Sequence, residues 1–216
     1  MNEEENLENL ERKKVPYGEV TLVGLGRLGF RTGLNLMEVH RGGPEKITAI
    51  DGQKISADDL VFRMLGAEPG EYKVDFFRKF AEGNSTKKVT GISRNISEDN
   101  LDLISGDVVC IEIAGGDTLP VTAEIIKKAH ETGISTISTM GVFGLGHEEI
   151  KAIDISEGDP ENPVVSSLME YGIDENHLLV GTGKLIRDWE PVTPAVLERT
   201  ATVMTSEILK ILKDRR

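Results

Sequence analysis

A glycine-spaced turn between two short apolar runs places the strongest constraint on how this chain can fold. The first run, residues 20–23, leads directly into Gly24-Leu25-Gly26-Arg27-Leu28-Gly29, and apolar residues with helical spacing follow. A second apolar run, residues 47–50, ends in the carboxylate of Asp51. A strand, a glycine turn, a helix and a second strand ending in an acid are typical of a βαβ nucleotide-binding unit.

Each glycine of the turn has a physical role in such a unit. We expect Gly24 to adopt the turn's backbone angles, Gly26 to leave room for a phosphate, and Gly29 to let the helix approach the strand. The phosphate then contacts the free N–H groups at the start of the helix. Asp51, with Gly52 beside it, is placed to hold ribose hydroxyls. Arg27 has two interpretations, a solvated cation at the helix start or a phosphate contact.

Length and strand pattern predict one α/β domain: a Rossmann-like three-layer sandwich around a mainly parallel sheet. A chain of 216 residues is long enough for one sizeable core. We expect a helical arm at residues 1–16, disorder being the alternative, and a nucleotide-binding core at 17–150. Residues 151–189 have short apolar runs broken by glycine and proline and predict an irregular annex. A last helix, capped by Thr193, belongs to the same C-terminal part, residues 151–216.

Charge and composition exclude several classes of protein. The net charge is −12, with 37 acidic and 25 basic residues, which disfavours a nucleic-acid or anionic-membrane partner. The single cysteine excludes a disulfide framework and a four-thiolate zinc site within one chain. The absence of a long apolar run and the acidic start of the chain predict a soluble, cytoplasmic protein.

Three further charged residues are candidates for the site, each with an alternative. Lys73 opens a helical stretch after Gly70 and could reach back to a phosphate, or be a surface lysine. Glu112 ends a buried strand and lies either at the site or at the strand edge. Asp117 follows that strand and is either a helix cap or a ligand for magnesium and phosphate. Separately, Ser56 is a suitable helix-cap residue, so we expect another helix to start there.

Two other features of this region have simpler expectations. Cys110, within the same apolar strand, is expected to be a packing residue. The loop at residues 140–147 has three glycines around Phe143, and is either a mobile wall that closes over a flat ring or an irregular turn. None of the four histidines has metal-ligand spacing, so we expect no dedicated metal site.

With these residues in view, the chain resembles the ubiquitin-activating-enzyme-like adenylyltransferases typified by ThiF and MoeB, over roughly residues 15–145. That family has a glycine turn, an Asp ending the second strand, an Asn-Leu-x-Arg-Gln segment and a Gly-x-x-Lys. The matching segments here are Gly24/Gly26/Gly29, Asp51, Asp59-Leu60-Val61-Phe62-Arg63 and Gly70-Glu71-Tyr72-Lys73. The chain departs from the pattern at Arg27, where the family has glycine, at Asp59, where it has asparagine, and at Arg63, displaced by one position.

The resemblance implies that the protein activates a carboxylate with ATP and Mg²⁺. Arg63 and Lys73 would direct positive charge at the phosphates, Asp51 would hold the ribose, and Asp59 would take the place of the family's asparagine. Asp117 would assist magnesium, with Glu112 as the alternative. The family's zinc cysteines and acceptor cysteine are missing, so a small-molecule acid is a better substrate than a ubiquitin-like tail.

Within this family, a short chain without zinc or an acceptor cysteine is similar to the members that make the iron-guanylylpyridinol cofactor of [Fe]-hydrogenase in methanogens. That similarity implies a homodimer that adenylylates the carboxylate of guanylylpyridinol and passes the product to a partner protein, HcgF, as a thioester. The turn and Asp51 alone also fit an NAD(P)-dependent oxidoreductase. A nucleotide-binding subunit without catalysis is the third alternative.

Overall fold

A computed structural model describes residues 15–216, so nearly all of the arm predicted at residues 1–16 lies outside the described residues. Within them, seven strands form one sheet. The strands are β1 (Glu19–Val23), β2 (Lys46–Ile50), β3 (Lys88–Ile92), β4 (Val108–Ile111), β5 (Ser135–Thr139), β6 (Lys151–Asp154) and β7 (His177–Gly181). The α-helices are α1 (Arg27–Glu38), α2 (Leu60–Met64), α3 (Lys73–Lys79), α4 (Leu119–Glu131), α5 (Pro163–Glu170) and α6 (Pro194–Asp214).

The sheet has the order β3-β2-β1-β4-β5-β7-β6. All neighbouring strands are parallel except β6 and β7, which are antiparallel. The strand order reverses between β1 and β4, where Leu22 lies between Ala49 and Cys110. In open α/β sheets a ligand binds at the carboxyl ends of the strands at such a reversal.

Helices cover both faces of the sheet and give the predicted three-layer sandwich. On one face α1, α2, α3 and α6 pack against the sheet through Phe30, Phe62, Phe77 and Met204. On the other face α4 and α5 bury Ile125, Ile126, Val165 and Leu168. Cys110 is fully buried in the first of these cores, as expected of a packing residue.

Residues 151–189 are more regular than the sequence predicted. They contribute two strands and α5, and both strands extend the main sheet. The pattern was obscured because β7 begins with His177, a polar residue that is fully buried. Its ring nitrogens lie 2.8 Å from Thr136 Oγ1 and 2.7 Å from Ser138 Oγ on β5, so the imidazole is satisfied inside the core. Thr193 caps α6 as predicted, by accepting a hydrogen bond from Val196 N.

The segment between β2 and α3 folds back on itself and so fixes the position of Lys73. Gly70 N donates to Ile55 O at 2.8 Å, and Lys73 N donates to Gln53 O at 3.1 Å. The helix predicted to start at Ser56 instead starts at Leu60. Ser56 N and Oγ both donate to Asp59 Oδ2, so Ser56 forms a polar turn ahead of α2. Across residues 15–216, no helix is both long and apolar enough to span a bilayer.

Candidate functional site

A cavity of about 430 Å³ lies at the carboxyl ends of β1, β2 and β4. Gly24 and Gly26, from the glycine turn, form part of its wall, and its polar lining residues are Asp51, Gln53, Asn95, Glu112, Asp117 and Thr118. These residues follow four different strands and meet because parallel strands end at the same edge of a sheet.

The turn depends on close packing at two of its glycines. Gly24 has a φ of +96°, and a Cβ there would lie 2.9 Å from the backbone of Glu112. A Cβ on Gly29 would collide with the carbonyl oxygen of Gly24. Nothing lies within 4 Å of the corresponding point at Gly26, so this position is open towards the cavity. The arrangement leaves the first N–H groups of α1 accessible to an anion.

Asp51 joins the turn to the end of β2. Its Oδ2 accepts a hydrogen bond from Leu25 N and its Oδ1 accepts one from Gln53 N, both at 2.7 Å. The neighbouring Gly52 N donates to Asn95 Oδ1 at 3.1 Å, which ties β2 to the segment after β3. Each carboxylate oxygen of Asp51 keeps a lone pair for a ligand hydroxyl.

Lys73 is buried, with only 5% of its surface exposed, and is not the surface lysine that its sequence context alone favoured. Its Nζ donates to Gln53 Oε1 at 2.7 Å and lies 3.6 Å from Asp59 Oδ1. Partial burial opposes ionisation of Asp59, but the hydrogen bonds from Ser56 and the nearby Lys73 ammonium lower its pKa. The side chain of Gln53, which lines the cavity, therefore lies between the cavity and the ammonium of Lys73.

The two arginines singled out from the sequence lie outside the cavity lining. Arg63 is exposed, and its Nη1 donates to Ala57 O at 3.4 Å. Arg27 is exposed at the first position of α1. Neither side chain contacts Asp51 or Lys73 among the described hydrogen bonds and ion pairs, so a role at phosphate requires either arginine to reorient when ligand binds.

The two acids that follow β4 have different environments. Asp117 is exposed in the short 3₁₀ turn Gly116–Thr118 and lines the cavity, while Thr118 occupies the cap position of α4. The carboxyl group of Glu112 is buried beneath the turn, and its Oε1 accepts a hydrogen bond from Thr32 Oγ1 at 2.7 Å. Among residues 15–216 no three His, Cys, Asp or Glu side chains are grouped to hold a metal ion.

Sequence reasoning missed Gln53 and Asn95. Gln53 could have been found because it lies two residues beyond Asp51, at the same edge of the sheet. Asn95 follows β3, but its approach to Gly52 depends on a pairing of β2 with β3 that no local motif encodes. Together these groups place backbone N–H groups, the Asp51 carboxylate, two side-chain amides and the buried Lys73 ammonium around or beside one cavity.

Known proteins similar to this chain include one solved with ATP bound. No family model matches the chain. An uncharacterised protein of Methanocaldococcus jannaschii is 48% identical over 207 residues, which are 96% of this chain and 82% of that protein. HcgE from Methanothermobacter marburgensis, solved with guanylylpyridinol and ATP bound, is 64% identical with a TM-score of 0.91, covering 94% of this chain and 99% of that chain.

Two more distant structures share the fold. The Escherichia coli tRNA N6-threonylcarbamoyladenosine dehydratase TcdA, in complex with ATP, has a TM-score of 0.77 at 18% identity, over 98% of this chain and 90% of that chain. Escherichia coli MccB, with MccA, has a TM-score of 0.60 at 19% identity, over 96% of this chain and 60% of that chain.

Proposed function

The chain belongs to the HcgE family of ThiF/MoeB-type adenylyltransferases, and on that premise we propose that it activates the carboxylate of guanylylpyridinol with ATP. The reaction yields an acyl-adenylate and pyrophosphate in the biosynthesis of the [Fe]-hydrogenase cofactor. One observation carries the proposal: a relative 64% identical over nearly its whole chain binds both ATP and guanylylpyridinol. The cavity at the β1/β4 reversal, lined by the glycine turn and Asp51, supports a nucleotide site at this position.

The nucleotide binds by groups that already converge on the cavity. The phosphates contact the N–H groups of the turn at Gly26 and the start of α1, where the helix dipole favours an anion. The ribose hydroxyls donate to Asp51, and Gln53 and Asn95 supply amide groups beside it. This mode of binding needs no main-chain rearrangement of the turn, because Asp51 already holds Leu25 N.

The chemical step is a displacement at the α-phosphorus of ATP. A carboxylate oxygen of the acid forms a bond to that phosphorus, the bond to the bridging oxygen of the β-phosphate breaks, and pyrophosphate leaves with the electron pair. Negative charge increases on the phosphate oxygens, so a fixed cation stabilises the transition state. Lys73 supplies that cation once its ammonium leaves Gln53 for the phosphates, and Arg63 is a second candidate.

The residues present are suited to a Mg²⁺ ion that is held mainly by the phosphate oxygens of the nucleotide. Mg²⁺ in such sites takes one or two carboxylates together with phosphate oxygens, and it offsets the charge of the leaving pyrophosphate when bound. Asp117 is the carboxylate placed for this role, since it lines the cavity and is exposed.

The acid extends from the α-phosphate over the ends of β5 and β7. In the sheet, β7 lies three strand spacings from β1. Adjacent strands are about 4.8 Å apart, so the loop after β7 begins about 14 Å from the turn, which is within the length of a two-ring substrate. This loop is joined to the glycine loop after β5 by Thr182 N donating to Gly141 O at 2.9 Å and Gly144 N donating to Pro191 O at 2.8 Å. Phe143 and Trp189 are the flat side chains of this wall, and Trp189 is 94% exposed.

Transfer of the activated acyl group requires a second protein. The single cysteine of the chain, Cys110, is fully buried, and burial raises the pKa of its thiol well above the ordinary value. A buried neutral thiol is a poor nucleophile. We therefore propose that the partner HcgF provides the acceptor thiol.

The exposed apolar side chains of Leu60 and Met64 on α2 support a homodimer, which light scattering of the purified protein tests.

Exchange of labelled pyrophosphate into ATP tests the proposed activity. We expect exchange that requires guanylylpyridinol and is absent with an analogue whose carboxymethyl group is replaced by methyl. Exchange without the acid, or none with it, would contradict the proposal. In parallel, calorimetric titration with ATP and with NAD separates adenylylation from the oxidoreductase alternative, because only the first requires ATP binding.

A further inference from the structure

Glu112 is a buried acid that the mechanism above does not use. It immediately follows β4, and its backbone N donates to Val23 O at 2.7 Å, so it lies level with the start of the glycine turn. Glu112 is 8% exposed as a whole residue, while its Oε2 is fully buried and has no hydrogen-bond partner within residues 15–216. A charged carboxylate oxygen in a core is strongly destabilising when it lacks a hydrogen-bond donor, so this atom requires an explanation.

The carboxyl group of Glu112 lies beneath the glycine turn that is proposed to bind phosphate. Oε1 accepts a hydrogen bond from Thr32 on α1, and Oε2 lies 3.2 Å from the point that a Cβ of Gly29 would occupy. The carbonyl oxygen of Gly24 lies against that same point. The free carboxyl oxygen of Glu112 and the carbonyl oxygen of Gly24 therefore lie on the same side of Gly29, where the missing side chain leaves room for a carboxyl proton to be directed at the carbonyl.

In the part of the chain that the structure describes, no cation is paired with the carboxyl group of Glu112. The elements packed around it are α1, which contributes Thr32 and Gly29, the turn after β1, and β4, which contributes the thiol of Cys110. Within residues 15–216 no lysine, arginine or histidine forms an ion pair with Glu112. Burial raises the pKa of Glu112 to about 7, although hydrogen bonds from Thr32 and Cys110 oppose the shift. The thiol of Cys110 is itself neutral because burial raises its pKa.

We propose that Glu112 is a positioning residue whose protonated form favours ATP binding. The protonated carboxyl holds the glycine turn through the Gly24 carbonyl, and Glu112 takes up a proton when the triphosphate binds. The proposal rests on the proposed function for the identity of the ligand. A negative charge beneath the turn repels the phosphates bound above it, so the nucleotide favours the neutral acid. By linkage, protonation of Glu112 strengthens ATP binding by the same factor.

Calorimetric titration with ATP at pH 6, 7 and 8 tests this inference in the wild type and in Glu112→Gln. The amide is neutral at every pH and can still donate to the Gly24 carbonyl. If ATP raises the pKa of Glu112 by one unit from about 7, wild-type affinity falls roughly fivefold more than that of the variant between pH 6 and pH 8. The terminal phosphate of ATP titrates in the same range, so the difference between the two proteins is the diagnostic quantity.

A second variant keeps the test independent of how well the amide folds. Thr32→Val removes the hydrogen bond that favours the charged form, so the midpoint of the affinity profile should move to higher pH. Infrared difference spectra on ATP binding near pH 7.5 should show a gain in protonated carboxyl signal that is absent in Glu112→Gln. Equal pH profiles in all three proteins, or no carboxyl signal, would overturn the inference. Failure of the wild type to bind ATP at any pH would instead overturn the proposed function.

Discussion

The Nζ of Lys73 lies 2.7 Å from Oε1 of Gln53, and Gln53 forms part of the wall of the nucleotide cavity. The same two residues are joined through the backbone, because Lys73 N donates to Gln53 O. The lysine is thus held beside the cavity, with Asp59 as a second contact.

Lys73→Met should abolish most of the acid-dependent pyrophosphate exchange. Methionine keeps an apolar stem against Phe62, whose ring lies 5.6 Å from Nζ, but removes the charge. Loss of a fixed group that stabilises developing charge typically lowers the rate about 100-fold or more. Lys79→Met, on the same helix but exposed and paired with Glu71, is the matched control and should retain full activity. Equal exchange rates in both variants would exclude Lys73 from catalysis.

Asp51→Asn should weaken ATP binding by about 1–3 kcal/mol, the range for losing hydrogen bonds to a charged group. The amide can accept from Leu25 N or from Gln53 N, but its nitrogen cannot replace the second oxygen. Calorimetric titration measures the change, with the exposed Asp58→Asn as control. Unchanged affinity in Asp51→Asn would show that the ribose binds elsewhere.

Trp189 should report binding of the acid. It is the only tryptophan of the chain, it is 94% exposed, and its backbone has a φ of +55°, an uncommon conformation for a large side chain. Stacking on a substrate ring removes the indole from water, so its fluorescence should shift to shorter wavelength or be quenched with guanylylpyridinol, but not with ATP alone. Trp189→Phe should raise the KM for the acid and leave ATP affinity intact. An unchanged emission spectrum would place the rings elsewhere.

His177 should make stability depend on pH. Burial, assisted by the neighbouring His130, lowers its pKa to about 3, whereas the unfolded imidazole titrates near 6.5. Between these values the unfolded chain binds a proton that the folded chain does not, so the free energy of unfolding falls as the pH drops below about 6.5. Glu112 has the opposite effect between its unfolded value of 4.5 and about 7, because its folded form holds the extra proton.

Urea unfolding at pH 5, 6 and 7 separates the two groups. The stability difference between the wild type and His177→Asn should widen as the pH rises, by up to about 1.4 kcal/mol per pH unit below 6.5. Substitution of the exposed His40 by asparagine is the matched control for the loss of an imidazole. A constant difference between wild type and His177→Asn would show that the imidazole is accessible to protons in the folded state.

Local sequence predicted the parts of the site that lie within one βαβ unit. The turn from Gly24 to Gly29 and the acid at Asp51 are close in sequence, and the backbone needs of a phosphate site restrict which residues can stand there. The burial of Lys73 could not be predicted, because it depends on pairing between residues 53–55 and 70–73. Glu112 was ambiguous for the same reason, since its neighbours Thr32 and Gly24 come from other elements. β7 was missed because its first residue is a buried histidine, which leaves only a short apolar run after it.

The most direct test of carboxylate adenylylation is transfer of an oxygen atom. Guanylylpyridinol labelled with ¹⁸O in its carboxylate is incubated with the protein and ATP, the activated acid is trapped with hydroxylamine, and the released AMP is analysed by mass spectrometry. Attack of the carboxylate on the α-phosphorus predicts one ¹⁸O atom in AMP and one pyrophosphate for each hydroxamate. Unlabelled AMP, or ADP and phosphate in place of AMP and pyrophosphate, would contradict it.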